Sequence, residues 1–167
     1  MQIVLADYRD PTHAAALIEL LDAYARDPAG GGQPLTDFVR RNLVRELAAR
    51  PQAFSVLAFD GAQETPDAMP RAVGLVNCFE GFSTFACRPL VNVHDVVVLP
   101  THRGLRVAEQ MLQLVEDTAK ARGACKLTLE VLSANHSAMA LYRRFGFAGY
   151  QLDPAMGQAN FLQKWLR

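Results

Sequence analysis

The run Pro100-Thr101-His102-Arg103-Gly104-Leu105-Arg106-Val107-Ala108 carries the most readable chemistry in this chain. It joins a stretch that reads as a buried strand, Val91 to Leu99, to one that reads as an amphipathic helix, Leu105 to Arg122. A strand entering a helix through a glycine-containing turn leaves several backbone N–H groups unpaired and pointing one way. The helix dipole adds partial positive charge at the same place. Such a turn suits a phosphate or pyrophosphate. Taken alone, the segment reads equally well as an ordinary strand-to-helix turn. Two nearby residues stand out by type. Asp95 interrupts the apolar strand, where a carboxylate is costly unless paired or functional. His94 points to the opposite face by strand alternation, and an imidazole titrates in the range that suits a base.

A second segment lies a short distance downstream: Glu130-Val131-Leu132-Ser133-Ala134-Asn135-His136-Ser137-Ala138-Met139-Ala140-Leu141-Tyr142-Arg143-Arg144-Phe145-Gly146-Phe147. Together the two segments resemble the GNAT superfamily of acetyl-CoA-dependent N-acetyltransferases. The first follows that family's pyrophosphate turn, Arg/Gln-x-x-Gly-x-Gly/Ala, at Arg103 and Ala108. Arg106 stands where the family usually has a glycine. The second follows Asn-x-x-Ala-x-x-Leu-Tyr-x-x-x-Gly-Phe at Asn135, Ala138, Leu141, Tyr142, Gly146 and Phe147. The resemblance is specific from about Asn92 to Phe147. The remainder fits in length and element order.

The resemblance implies an enzyme that moves the acetyl group of acetyl-CoA directly to a primary amine. No cysteine lies in either motif, which speaks against a covalent Cys intermediate. Backbone N–H groups from Arg103 through Gly104, Leu105, Arg106 and Val107 to Ala108 are expected to hold the pyrophosphate. Arg106 should turn outward, because it falls on the helix's polar face with Gln110, Gln113 and Asp117. Val96, Val97 and Val98 would offer strand backbone groups to the pantetheine amides. Asn135 reads as a helix N-cap, and the family's matching residue also meets the cofactor. Tyr142 corresponds to the family's general acid. Its helical spacing with Ala138, Leu141 and Phe145 also fits a plain inward aromatic.

For the base, Asp95 ranks first and Glu130 second, with His94 in reserve. A structural role for Asp95 stays open. The segment Tyr24-Ala25-Arg26-Asp27 lies in the region with which the family covers its acceptor. A non-enzymatic acyl-CoA-binding or regulatory module on the same fold is the rival reading. The P-loop and dinucleotide glycine patterns are both absent.

These residues need elements to hold them. A β-prone start at Gln2 to Ala6 precedes a helix capped by Asp10-Pro11, with Ala14, Leu17, Ile18, Leu21 and Ala25 at helical spacing. A second helix is expected over Leu35 to Ala49, its stripe made by Leu35, Phe38, Val39, Leu43 and Leu47. Strands are expected at Ala53 to Phe59 and from Ala72 to Glu80, extending as far as Phe85, around a hairpin loop at Asp60 to Pro70. Val91 to Leu99 is dominated by valine, at five of nine positions, as for a central strand covered on both faces. Beyond the helix to Arg122, a strand is expected over Lys126 to Leu132, then a helix from Asn135 to Gly146. Two strands, Phe147 to Leu152 and Phe161 to Trp165, should close the chain around Asp153-Pro154.

The order predicts an α/β (α+β) fold: a mixed, mostly antiparallel sheet flanked by helices, with the splayed central strands of the GNAT-like family. At 167 residues, it reads as one domain over residues 1–167. Lys plus Arg equals Asp plus Glu at 17 each, and no basic stripe marks a nucleic-acid partner. Cys78, Cys87 and Cys125 are widely spaced, against a disulfide framework or a metal site. The first ten residues lack a signal core, and no apolar run is long enough to span a bilayer. The expectation is a cytoplasmic protein with a small-molecule or protein amine acceptor and no membrane partner. A homodimer is left open.

Overall fold

Asp10 begins the first helix as its sequence requires. Its carboxylate accepts the N–H groups of Thr12 and His13, and Pro11 occupies the first helical position. In the computed structural model, which describes residues 1–61, 70–150, 153, 155 and 160–166, this is helix α1, Pro11–Arg26. It follows strand β1, Gln2–Leu5. A 3-10 turn at Pro28–Gly30 then leads to α2, Asp37–Ala48, capped by the Thr36 hydroxyl. The rest of the first unit is β2 at Ala53–Asp60, β3 at Arg71–Ser83, β4 at Arg88–Val98, α3 at Val107–Ala121 and β5 at Leu127–Leu129. The chain forms two compact units, Met1–Leu132 and Ser133–Arg167. The second contains α4, His136–Phe145.

The five strands lie in sequence order in one sheet. Pairing is antiparallel from β1 to β4, and parallel between β4 and β5. This is the mixed, mostly antiparallel sheet the sequence predicts. Its apolar strands are covered on both faces. Leu57, Leu75 and Val97 share a core with Leu17 and Leu20 of α1. The alternate residues Ala58 and Gly74 face α3, where a Cβ on Gly74 would stand 2.8 Å from Met111 Cε. Hence β2 is buried from Ala53 to Phe59 without alternation. The apolar stripe of α3, Met111, Leu112, Val115 and Ala119, is buried.

A charged network joins α1 to α2. The Asp22 carboxylate accepts from Arg26 Nε at 2.9 Å, from Arg40 Nη2, and from the backbone N–H of Leu35 at 2.8 Å. These donors hold the carboxyl well below its ordinary 3.8, at about 2, with Arg26 the largest influence. Among the cysteines, Cys78 is buried, Cys125 half-buried and Cys87 exposed. Burial pushes the Cys78 thiol up to about 12, and the charge of Asp95 adds to it. No helix among the described residues is long and apolar enough to cross a membrane.

Four expectations need correcting. The helix expected from Leu105 starts at Val107, because Gly104 and Arg106 have φ of 81° and 57°, outside any right-handed helix. The strand expected to reach Leu132 stops at Leu129, where its pairing with β4 ends at Val93. Phe38, placed in the apolar stripe of α2, is exposed in that helix's first turn. Residues 147–150 and 161–165 form no strand. Apolar spacing supplies one face of a strand, but a ladder partner makes it one, and Phe161, Leu162 and Trp165 are exposed. Residues 62–69 of the expected hairpin loop, and 151, 152 and 154 of the expected last turn, lie outside the described residues.

Candidate active site

One extra residue in β4 opens the site. Asn77 pairs with Asp95, but the next residue of β3, Cys78, pairs with Val93, so His94 is a β-bulge. The ladder to β5 ends at the same level, at Val93 with Leu129, although β4 runs on to Val98. Beyond that point β4 is paired on one side only among the described residues. Leu99 donates its backbone N–H to Val73 O at 2.9 Å. By the alternation of an antiparallel pair, Val97 turns its backbone groups toward β3, while Val96 and Val98 turn theirs toward the open edge. Of the three valines, Val96 and Val98 therefore present backbone groups there, and Val97 buries its side chain.

The open edge leads into the turn before α3. A 3-10 turn at Pro100–His102 is tied down by His102, whose Nδ1 meets Thr101 Oγ1 at 2.8 Å and whose Nε2 meets Asp60 Oδ2 at 3.1 Å. Gly104 then takes its positive φ with open space where a Cβ would stand, so the backbone there is accessible. Arg106, in the left-handed region, is the N-cap of α3 and makes no side-chain capping bond. The first helical hydrogen bond runs from Gln110 N to Arg106 O. The amides of Arg106, Val107, Ala108 and Glu109 thus begin a 15-residue helix without a side-chain cap. Arg103 departs from the expected amide cradle, because its N–H is held by Pro100 O at 3.3 Å. Its side chain instead donates to Val98 O at 3.2 Å and reaches Asp27 Oδ2 at 3.5 Å. Arg106 turns outward, 83% exposed, within 3.8 Å of Glu109. Leu105 is also exposed.

Asp95 and Glu130 stand where β4 and β5 part, Asp95 two residues past Val93 and Glu130 one past Leu129. Glu130 is exposed, and its Oε2 accepts from Asn92 Nδ2 at 3.4 Å. Asp95 is half-buried, and its Oδ2 accepts from Asn77 Nδ2 at 2.9 Å. His94 is exposed and meets the Phe79 ring edge-on, centroids 5.4 Å apart. Burial holds the Tyr24 phenol above its ordinary 10, with the charges of Asp95 and Asp27 adding to it. In the second unit, Asn135 caps α4 by accepting from Ala138 N at 3.1 Å. Tyr142 is buried, and its ring meets that of Phe147 at 5.8 Å. Gly146 ends the helix at a φ of 102°.

Sequence reasoning passed over Tyr8, Ser55 and Asn77, which link to Asp95; it named His102 within the turn and Asp27 within the acceptor-side segment, but not the contacts by which they brace the turn. Only strand register and tertiary contact bring these together. Asn77 alone gave a signal, as an amide inside an apolar strand.

The mixed sheet and its flanking helices make the fold shared by solved acetyltransferases. The sequence model described as "Acetyltransferase (GNAT) family" matches residues 17–147, and the chain belongs to that family. It is similar to a streptothricin acetyltransferase of Streptomyces lavendulae, 35% identical over 129 residues, covering 70% of this chain and 68% of that protein. It also matches an uncharacterized N-acetyltransferase, YobR, of Bacillus subtilis at 29% over 77 residues, 46% of this chain and 28% of that protein. Among solved structures, a probable acetyltransferase superposes with a TM-score of 0.79 at 20% identity, covering both chains fully. An aminoglycoside acetyltransferase from a soil metagenomic sample, in complex with sisomicin, gives 0.75 at 13%, covering 99% of this chain and 96% of that one. At these identities the structures speak for the fold.

Proposed function

We propose that this protein moves the acetyl group of acetyl-CoA directly onto a primary amine of a small cationic acceptor, and that residues 1–167 act as one N-acetyltransferase domain. The observation that carries this is the open edge of β4 running into the uncapped start of α3. The first suits an extended chain of amides, and the second suits a pyrophosphate. The family model spans the boundary between the two units, which supports one functional domain. The streptothricin-acetylating relative supports an antibiotic-type amine acceptor.

Acetyl-CoA supplies a thioester carbonyl for the amine to attack and a thiol to leave. In this reading the amides of Gly104 to Ala108 hold the pyrophosphate, Arg103 and Arg106 lie beside it, and Val96 and Val98 hold the pantetheine. Asn135 completes the cofactor contacts. An ammonium that becomes an amide loses two protons. Asp95 takes the first, with Glu130 as the alternative. Tyr142 gives its phenol proton to the departing sulfur and recovers one from the nitrogen.

The test is an amine panel with acetyl-CoA: streptothricin, an aminoglycoside, a polyamine, a free amino acid and a peptide N-terminus. Products are read by mass. An acetylated amine with free CoA is the expected result. Binding of acetyl-CoA without product on any amine points instead to an acyl-CoA-binding module, and no binding at all sinks both readings.

A further inference from the structure

Ser55, Asn77 and Asp95 stand directly opposite one another across β2, β3 and β4. They form a polar row beside the apolar row Leu57, Leu75 and Val97. Ser55 and Asn77 are almost wholly buried, at 1% and 3% exposure. Tyr8, just after β1, closes the row. Its hydroxyl lies 2.8 Å from Ser55 Oγ, Ser55 Oγ lies 2.7 Å from Asn77 Oδ1, and Asn77 Nδ2 lies 2.9 Å from Asp95 Oδ2.

Chemistry fixes the direction of every bond in this chain. A carboxylate only accepts, so Asn77 gives its N–H to Asp95 and turns its oxygen to Ser55. Ser55 has one hydrogen, which goes to Asn77, so Tyr8 donates to Ser55. All three dipoles therefore point toward Asp95. An amide in the middle does not hand protons along as a hydroxyl or imidazole does, so this is no proton relay. A buried polar row offers little stability over an apolar one of the same shape. Its end point, at the mouth of the splay beside the bulge, supplies a reason for it.

We propose that Tyr8, Ser55 and Asn77 are positioning residues: they pin Asp95 Oδ2 and hold Oδ1 toward the incoming ammonium. This rests on reading Asp95 as the base. Burial raises the phenols of Tyr8 and Tyr24 and the thiol of Cys78 above their ordinary ranges, and the charge of Asp95 adds to this at Tyr24 and Cys78. Arg122 acts on Tyr8 and Cys78 from the end of α3. His94 on β4 and Glu130 past β5 are the other titratable neighbours of the mouth.

The test compares kcat, KM and the rate against pH for Tyr8→Phe, Ser55→Ala, Ser55→Thr and Asp95→Asn, with one acceptor throughout so that the amine's own titration is common to all. Tyr8→Phe and Ser55→Ala should lower kcat by about tenfold, the scale of one hydrogen bond in a charged chain. They should move the acidic limb toward higher pH and leave KM for acetyl-CoA unchanged. Ser55→Thr, which keeps the hydroxyl, should restore both kcat and the limb. If Asp95→Asn abolishes the acidic limb while Tyr8→Phe and Ser55→Ala keep the full kcat and pH profile, the positioning role is refuted and the base survives. If Asp95→Asn keeps the limb, the base reading falls and the positioning role falls with it.

Discussion

Arg106 occupies a backbone position that favours glycine. Its φ of 57° and ψ of 23° lie in the left-handed region, which costs a side-chain-bearing residue roughly 1 kcal/mol. That geometry explains why a glycine is usual at the matching position of the family. It also explains why an arginine is accommodated, since its side chain leaves the turn. Arg106→Gly should raise stability by up to about 1 kcal/mol, less glycine's larger unfolded entropy, in urea or thermal denaturation. Affinity for acetyl-CoA should change by no more than about tenfold. A large gain in affinity would mean that Arg106 blocks the turn. Tyr142 makes a sharper case. Tyr142→Phe should fold, bind acetyl-CoA and turn over about 10²-fold more slowly, the scale of lost acid catalysis. Unchanged turnover would leave Tyr142 a packing residue beside Phe147.

The elements around the site differ in how far they could be read. The turn before α3 and the α4 motif were legible because each is a run of consecutive residues whose types are demanding. The bulge at His94 was not. Val91 to Leu99 has valine at five of its nine positions and carries no glycine to mark an irregularity. The row from Tyr8 to Asp95 was hidden for another reason: its members lie far apart in sequence and meet only through strand register. Glu130 was assigned to a strand because alternation continues past Leu129, whereas the ladder ends with its partner. At this scale Asp22 gives a pH prediction. Its folded pKa of about 2 lies below the ordinary 3.8. The stability it contributes is therefore present above pH 3.8 and lost as pH falls from there toward 2. Asp22→Asn should lower stability at neutral pH by about 1–3 kcal/mol, through lost charged hydrogen bonds, and with it the melting temperature. It should also flatten the acid side of the melting curve against pH. An acid side as steep as the parent's would show that other carboxylates set it.

For the molecule as a whole, the fold and family followed from element order and two motifs, while the acceptor is carried by no motif at all. Acetyl-CoA that binds only the folded chain should stabilise it by about 2.7 kcal/mol at 100 times its dissociation constant. A thermal shift reads this directly. An unchanged melting temperature at saturation, with no heat in calorimetry, would remove acetyl-CoA from the site. The distribution of thiols bears on how turnover is followed. Cys87 is exposed on the β3–β4 connection, whereas Cys78 is held protonated in the core and does not act as a thiolate near neutral pH. A disulfide-exchange dye that reports released CoA will therefore also be consumed by the enzyme itself, at Cys87 first and then at half-buried Cys125. Progress curves need a blank with enzyme and no acceptor. The same contrast makes Cys87 the natural anchor for a fluorophore, with the core thiol left untouched.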